Sequence, residues 1–515
     1  MGVSVLDVIR NMRRAAVFAA LCLCGPVAAQ DVTLRFPDGS FEASGPLLGF
    51  DGEAYRIDSR FGVLTIAASA VTCEGACPAQ ADPPVLRLDG TPIMTEVLVP
   101  ALVDAFARSL GLRTRPVPVE DGVGLLLTTP DEQTVAQFNI ATSSTTTGFE
   151  RLVASRADIV FADRWMTEEE RATFRQRGLG DLSNPLRKRL IARQAMKLFA
   201  GKDVPLASVS PRELVKLTSP GLGSEDVGLV VPAVEVEAFA DRLRILQRRS
   251  APGDIAEQSF ETTETLQGAG EASTSGPGSI VVTAQTPAPE GMRQVPLSHG
   301  CDAASAEDAS GDAYPLMIHL WAYTAEPRLP ELGRTFLAFA AGSEAQRVID
   351  RAGFIDQRPR PIALGAQGER IARAVADLSD ELTLPDLQKA IERLKGFDRL
   401  STVFRFSADG TGLTRASASE AQSLASLLDS GRYDGRQLLF LGMTGSVGSA
   451  AENQQIGHRD SQMVMDVVRR AMVTRNDRLP MVHIGLGELF PLACDKTAWG
   501  QFVNHRVEVW LGPPP

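Results

Sequence analysis

Ala157-Asp158-Ile159-Val160-Phe161-Ala162-Asp163-Arg164 places four apolar residues between two pairs that each carry charge. The run reads as a short strand, the third in an alternating series. Upstream, Val85-Leu86-Arg87-Leu88 reads as a strand ending in Asp89-Gly90-Thr91, and Val97 to Leu110 has apolar residues at helical spacing. Phe138-Asn139-Ile140 is a second short strand, followed by Ala141 to Thr147 and a helix from Gly148 to Ser155. Alternating strands and helices imply a mainly parallel sheet, with ligand sites at the carboxyl ends of its strands.

Ser143 to Thr147 precede a helix, so hydroxyls and free backbone N–H groups converge at its positive end. Thr91 stands where the first strand opens into its helix. Asp163 can accept a hydrogen bond from a protonated oxyanion, and Arg164 can neutralise its charge. Thr91, Ser143, Ser144, Thr145, Asp163 and Arg164 are therefore the candidate solute-binding residues. N-capping is the alternative role for the Ser/Thr run, and a salt-bridged strand end is the alternative for Asp163 and Arg164.

Outward from this region, residues 30–79 form a small β module with turns at Pro37-Asp38-Gly39, Phe50-Asp51-Gly52 and Arg60-Phe61-Gly62. Its end carries Cys73-Glu74-Gly75-Ala76-Cys77, for which an oxidising compartment predicts a Cys73–Cys77 disulfide. Residues 80–362 are the alternating region. Its stretch 249–296 is looser, with a strand at Ile280-Val281-Val282, and 301–313 is polar loop. Gly368 to Leu394 is amphipathic and interrupted near Thr383-Leu384-Pro385, a helical connector over 363–400. Residues 401–515 form a last domain. A chain of 515 residues is too long for one core.

Arg10, Arg13 and Arg14 precede the apolar run Ala15 to Cys24 and then Gly25-Pro26-Val27-Ala28-Ala29. That order predicts a secretory signal peptide over 1–29, with Met12 as an alternative start. Cleavage removes three arginines and one aspartate, which takes the net charge from −11 to −13. Cys22 and Cys24 each follow a leucine, which disfavours a lipoprotein signal. No later segment is long and apolar enough to span a bilayer. The location implied is the periplasm, with outer-membrane or cell-wall association. The negative charge disfavours nucleic acid as a partner. Cys301 and Cys494 either pair or remain thiols.

The last domain carries Phe404-Arg405-Phe406, Gly410, Leu413 and a helix over Ala416–Leu428. Leu438-Leu439-Phe440-Leu441-Gly442, Asn453, Arg459, Gly485-Leu486-Gly487-Glu488, Pro491 and Asn504-His505-Arg506-Val507-Glu508-Val509-Trp510 follow. This order resembles the OmpA-like family, a β-α-β-α-β fold whose pocket takes the diaminopimelate of peptidoglycan. The resemblance implies an Asp at the position of Gly445 and an Arg at the position of Asp460. Both are replaced, which leaves Thr444, Asn453 and Arg459 as peptidoglycan candidates.

Residues 84–362 resemble the phosphate-type (PstS-like) periplasmic solute-binding proteins. The resemblance rests on Leu86 to Thr91, Ser143-Ser144-Thr145, Ala157 to Arg164, Pro277-Gly278-Ser279-Ile280, Tyr314-Pro315-Leu316, Ala345-Gln346-Arg347 and Gly353-Phe354. It implies a two-lobed type II fold, a small oxyanion such as phosphate as solute, and an ABC permease or another envelope protein as partner. The family's Ser-Gly-Thr loop in the second lobe has no clear counterpart between 219 and 275.

The fold class expected is thus α/β and α+β multidomain: a small N-terminal β module, a two-lobed type II periplasmic-binding-protein-like domain and a C-terminal OmpA-like domain. No nucleophile elbow, His-Glu-x-x-His or Walker loop is present, and no cofactor or enzymatic activity is expected. His483 lies in the apolar Met481–Ile484 run and reads as a core residue. Two functions fit: a wall-tethered receptor for a small oxyanion, and a non-catalytic envelope adaptor with degenerate ligand sites.

Overall fold

The computed structural model describes residues 31–514 except 51, 53, 79–82, 185–186, 203, 219–226, 251–258, 276–277, 286–288, 299–312, 326–328, 408–409, 411 and 475–478. The signal peptide expected over 1–29 and Cys301 fall outside the described residues. The chain divides into two compact units, one up to Pro84 and one from Val85 onward.

The first unit is an antiparallel sheet in the order β4-β3-β2-β1-β5, built from β1 (Asp31–Arg35), β2 (Glu42–Phe50), β3 (Ala54–Ser59), β4 (Gly62–Ala67) and β5 (Thr72–Gly75). Strand alternation sends Val32 and Leu34 inward, where they pack with Ala43, Ile57 and Val71. Cys73 and Cys77 form the expected disulfide at the end of this sheet.

The second unit opens with β6 (Val85–Gly90), β7 (Arg113–Pro118), β8 (Val123–Thr128), β9 (Thr134–Thr142), β10 (Ile159–Ala162) and β11 (Lys188–Ala195). Together with β17 (Met317–Tyr323) they form one sheet in the order β11-β17-β10-β6-β9-β8-β7. The sheet is mixed, not mainly parallel. Only the central β10-β6-β9 pairings run parallel, because β7 and β8 close a short hairpin and β17 returns antiparallel to β10 and β11. Helix Val99–Ser109 covers this sheet with Leu102 and Phe106 one turn apart. Phe106, Phe138 and Phe336 meet edge to face, and truncating any one of them to alanine would cost about 3–5 kcal/mol.

After β11 the chain passes Met196 into a second lobe of β12 (Lys197–Ala200), β13 (Gly228–Pro232), β14 (Glu261–Thr263), β15 (Ser279–Thr283) and β16 (Arg293–Val295), ordered β14-β13-β15-β12-β16. It returns through β17. The two passages are tied by Met196 N–H donating to Leu316 O and by the Tyr314 hydroxyl donating to Met196 O at 2.7 Å. The second lobe has a dense core: Val231, Phe239, Leu243 and Leu246 are buried. The stretch described in the sequence as lacking a clear match therefore holds β13 and the helix Val236–Ser250.

The C-terminal sheet has β18 (Pro361–Ala363), β19 (Asp398–Arg405), β20 (Gln437–Met443), β21 (Met481–Gly487) and β22 (Arg506–Gly512) in the order β18-β19-β22-β20-β21. Period-two alternation splits β20 between two cores. Leu438 and Phe440 face helices Arg415–Asp429 and Ala450–Ala471, while Leu439 and Leu441 face helices Gly368–Ala376 and Leu384–Arg393. Close helix–sheet approach needs glycine here: a Cβ on Gly442 would lie 1.8 Å from Gly457 O. Arg506 and Glu508 form a buried ion pair at 2.8 Å, joined by Arg370 at 2.7 Å. Burial raises the Glu508 carboxyl, but Arg370 and Arg506 outweigh it and hold the group well below the usual carboxylate range.

Candidate functional site

The parallel strands β6, β9 and β10 end side by side, which brings all six candidate residues to the carboxyl end of the sheet in neighbouring hydrogen-bonded groups. A Cβ on Gly90 would lie 2.3 Å from Phe161 O, so glycine permits the close approach of the β6 and β10 ends. Ser144 caps helix Thr145–Val153 by accepting from Thr147 N–H at 3.2 Å. The Ser143 hydroxyl donates to Asp89, whose second oxygen takes Arg151 at 2.6 Å. Thr145 is fully buried and donates to Asp163 Oδ1 at 2.8 Å. Thr91 is buried, and its hydroxyl has no partner among the described residues.

Arg164 is 5% exposed. A guanidinium has five N–H donors, and here all five are used. Nε donates to Glu237 at 2.9 Å, one terminal nitrogen to Trp165 O at 3.1 Å and Glu170 at 2.9 Å, and the other to Thr146 Oγ1 at 2.8 Å and Glu170 at 2.7 Å. Glu237 also accepts from Thr146 N–H at 3.2 Å. A carboxylate from the second lobe therefore occupies the N-terminus of helix Thr145–Val153, where hydroxyls and free amides would meet an external anion.

Carboxylates outnumber cations at this end of the sheet. Burial, reinforced by the Glu237 charge, pushes the Asp163 carboxyl up to about 7. Glu235 accepts from Ala284 N–H at 3.1 Å, yet burial pushes it up to about 7 as well. The sequence singled out Arg164 and Asp163 but not Glu170, Glu235 or Glu237. Glu170 carried a local signal, since Thr167-Glu168-Glu169-Glu170 forms a capping box. Glu237 carried none.

In the C-terminal module Thr444 and Asn453 are buried on either side of Gly487. Thr444 N–H donates to Gly487 O at 2.9 Å, and a Cβ on Gly487 would lie 3.3 Å from the Asn453 carbonyl carbon. The Asn453 amide donates to Glu488 at 2.8 Å. Arg459 is not brought to them: its side chain is 74% exposed and lies 3.6 Å from Asp460. Asp460 turns inward to His505 at 2.7 Å. Beside Gly445 stands a carboxylate from elsewhere, Asp495, 3.1 Å from where a Cβ would be and held by Asn504 at 2.7 Å. Cys494 is disulfide-bonded.

A family model described as a PBP superfamily domain matches residues 118–344. Solved structures similar to the chain include an ABC-type phosphate transport receptor from Vibrio cholerae, 11% identical over 52% of this chain and 99% of that one, with a TM-score of 0.38. PstS from Borrelia burgdorferi is 12% identical over 53% of this chain and 98% of that one, with a TM-score of 0.33. The Synechocystis PCC6803 CcmR regulatory domain in complex with 2-PG is 11% identical over 50% and 95%, with a TM-score of 0.30. No curated protein matches the chain.

Proposed function

We propose that the chain is an exported, cell-envelope protein of the solute-binding type with an OmpA-like C-terminal tether, and that it works as a non-catalytic adaptor. One observation carries the choice of adaptor over receptor. The Glu237 carboxylate already bridges Thr146 N–H and Arg164, the place where a receptor would hold phosphate or another small oxyanion. An incoming anion must displace that carboxylate and then face Asp163, Glu170 and Glu237. The order β19, helix, β20, helix, β21, β22 supports the OmpA-like reading. Peptidoglycan is the partner that reading implies. Asp495 and Glu488 supply carboxylates near Gly445 and Asn453, while Arg459 stands exposed as the remaining cation.

The test is a thermal-shift titration of the full chain with phosphate, sulfate and small carboxylates. The wild type is expected to show no saturable shift. Glu237→Gln is expected to gain one, worth about 2.7 kcal/mol at roughly a hundredfold excess over the dissociation constant. A saturable wild-type shift, lost in Asp163→Ala or in Ser143→Ala with Ser144→Ala, would overturn the adaptor and establish an oxyanion receptor of the kind an ABC permease serves.

A further inference from the structure

Beside the strand-end cluster lies a cleft of ≈1060 Å³ whose walls come from the first lobe, from helix Val236–Ser250 of the second lobe and from the C-terminal module. Among the described residues its lining contains seven arginines against four acidic residues, on a chain whose net charge is −11. Three of the four tryptophans of the protein, Trp165, Trp321 and Trp499, also stand in its wall.

Most of these arginines are committed. Arg164 is spent as described, Arg171 pairs with Glu168, Arg242 donates to Pro315 O, and Arg244 lies 3.6 Å from Asp241. Arg248 and Arg415 have no acidic partner among the described residues. Arg415 lies instead over the Trp165 ring at 4.3 Å, and Lys188 approaches the same ring at 3.8 Å. These cations crowd one another. Lys188 is pushed down to about 8, by burial first and then by the Arg415 charge. Arg415 is itself lowered by burial and by Arg171. Three donors of the wall, Trp165 Nε1, Arg171 Nε and Trp499 Nε1, are buried without an acceptor among the described residues, and Trp499 is only 2% exposed. Cations without an acidic hydrogen-bond partner among the described residues and tryptophan side chains thus line one concave space. Its volume is that of an organic molecule and far exceeds that of an inorganic ion.

We propose that this cleft is a binding site for a small organic polyanion: a molecule with at least two negative groups on a flat or apolar ring body. The negative groups would lie against Arg248 and Arg415, and the ring against Trp165, which the buried Trp321 backs edge to face at 5.2 Å. The site is independent of Glu237, so it stands whether or not the small-anion position is closed.

Pyrene tetrasulfonate, a flat tetra-anion, is a direct probe, with sulfate and the uncharged pyrenemethanol as controls. Titrated into the full chain, it is expected to bind once per chain and to quench tryptophan fluorescence. Each control is expected to bind at least about tenfold more weakly. Arg248→Gln with Arg415→Gln is expected to weaken binding by about tenfold or more, and Trp165→Leu by about threefold to tenfold. Glu237→Gln should leave it unchanged, which separates this site from the proposed adaptor reading. Arg248→Gln alone, at an exposed position, decides the matter if the double variant does not fold. Absence of binding, equal binding of sulfate or pyrenemethanol, or undiminished binding in Arg248→Gln and the double variant would overturn the proposal.

Discussion

The strand-end cluster and the cleft beside it share Asp163 and Arg164, yet their electrostatics are opposite. In the cluster, one guanidinium serves two carboxylates, a hydroxyl and a backbone carbonyl, and each of its donors is used. In the cleft, cations outnumber acids and donors stand unmet. A region whose polar groups satisfy one another is finished as a structure; one whose charges repel is complete only when something else is present. The same sequence motif, Asp163-Arg164, therefore marks a closed site on one side and the rim of an open one on the other.

Substitutions can break this contrast. The largest effect is expected from Arg164→Met, which leaves Glu170, Glu237 and Asp163 without their cation. Breaking a buried ion pair costs about 3–5 kcal/mol, and the melting temperature should fall by roughly 10 °C. A drop below about 2 °C would show that the cluster is not a structural unit.

Asp163→Asn gives the next largest effect, and its sign depends on pH. With a folded value of about 7, above the unfolded value of about 3.9, the folded state holds the proton more tightly. Stability is then greatest below about pH 4, declines as the pH rises toward 7, and levels off above it. Asparagine removes that slope, so the variant should gain about 5 °C over the wild type between about pH 5 and pH 8. Glu235 contributes a slope of the same sign and remains in the variant. A constant difference across the range would refute the assignment.

Glu237→Gln removes one of two carboxylates on Arg164 and is partly exposed, so a loss of about 1 kcal/mol is expected in the melt. The smallest effect belongs to the cleft. Arg248→Gln should leave stability within about 0.5 kcal/mol, because no partner among the described residues loses a bond. A loss as large as that of Arg164→Met would erase the contrast altogether.

How much of this was legible in the sequence follows from how local each signal is. Ile159–Ala162 and Ile280–Val282 are short apolar runs, and both lie in strands. Ser144 before Thr145-Thr146-Thr147 reads as a helix cap and is one. The β7–β8 hairpin was missed, because Arg113-Thr114-Arg115-Pro116 shows no apolar alternation and stands exposed at the sheet edge. Glu237 was beyond reach for another reason: it meets Thr146 from 91 residues away, through a placement set by two sheets and the passages between them. The cleft was equally hidden, since Trp165, Arg248, Arg415 and Trp499 converge only after the lobes and the C-terminal module have packed.

β11 does more than lead the chain from one lobe to the other. Arg193, on that strand, is ion-paired to Glu420 on helix Arg415–Asp429 and donates to Asp356 O at 3.2 Å. β11 is also hydrogen-bonded along its length to β17, the strand by which the chain returns. In mechanical terms, the C-terminal module is tied directly to the strand that leads from one lobe to the other, in addition to the packing of Trp499 and Val503 into the lobes' core.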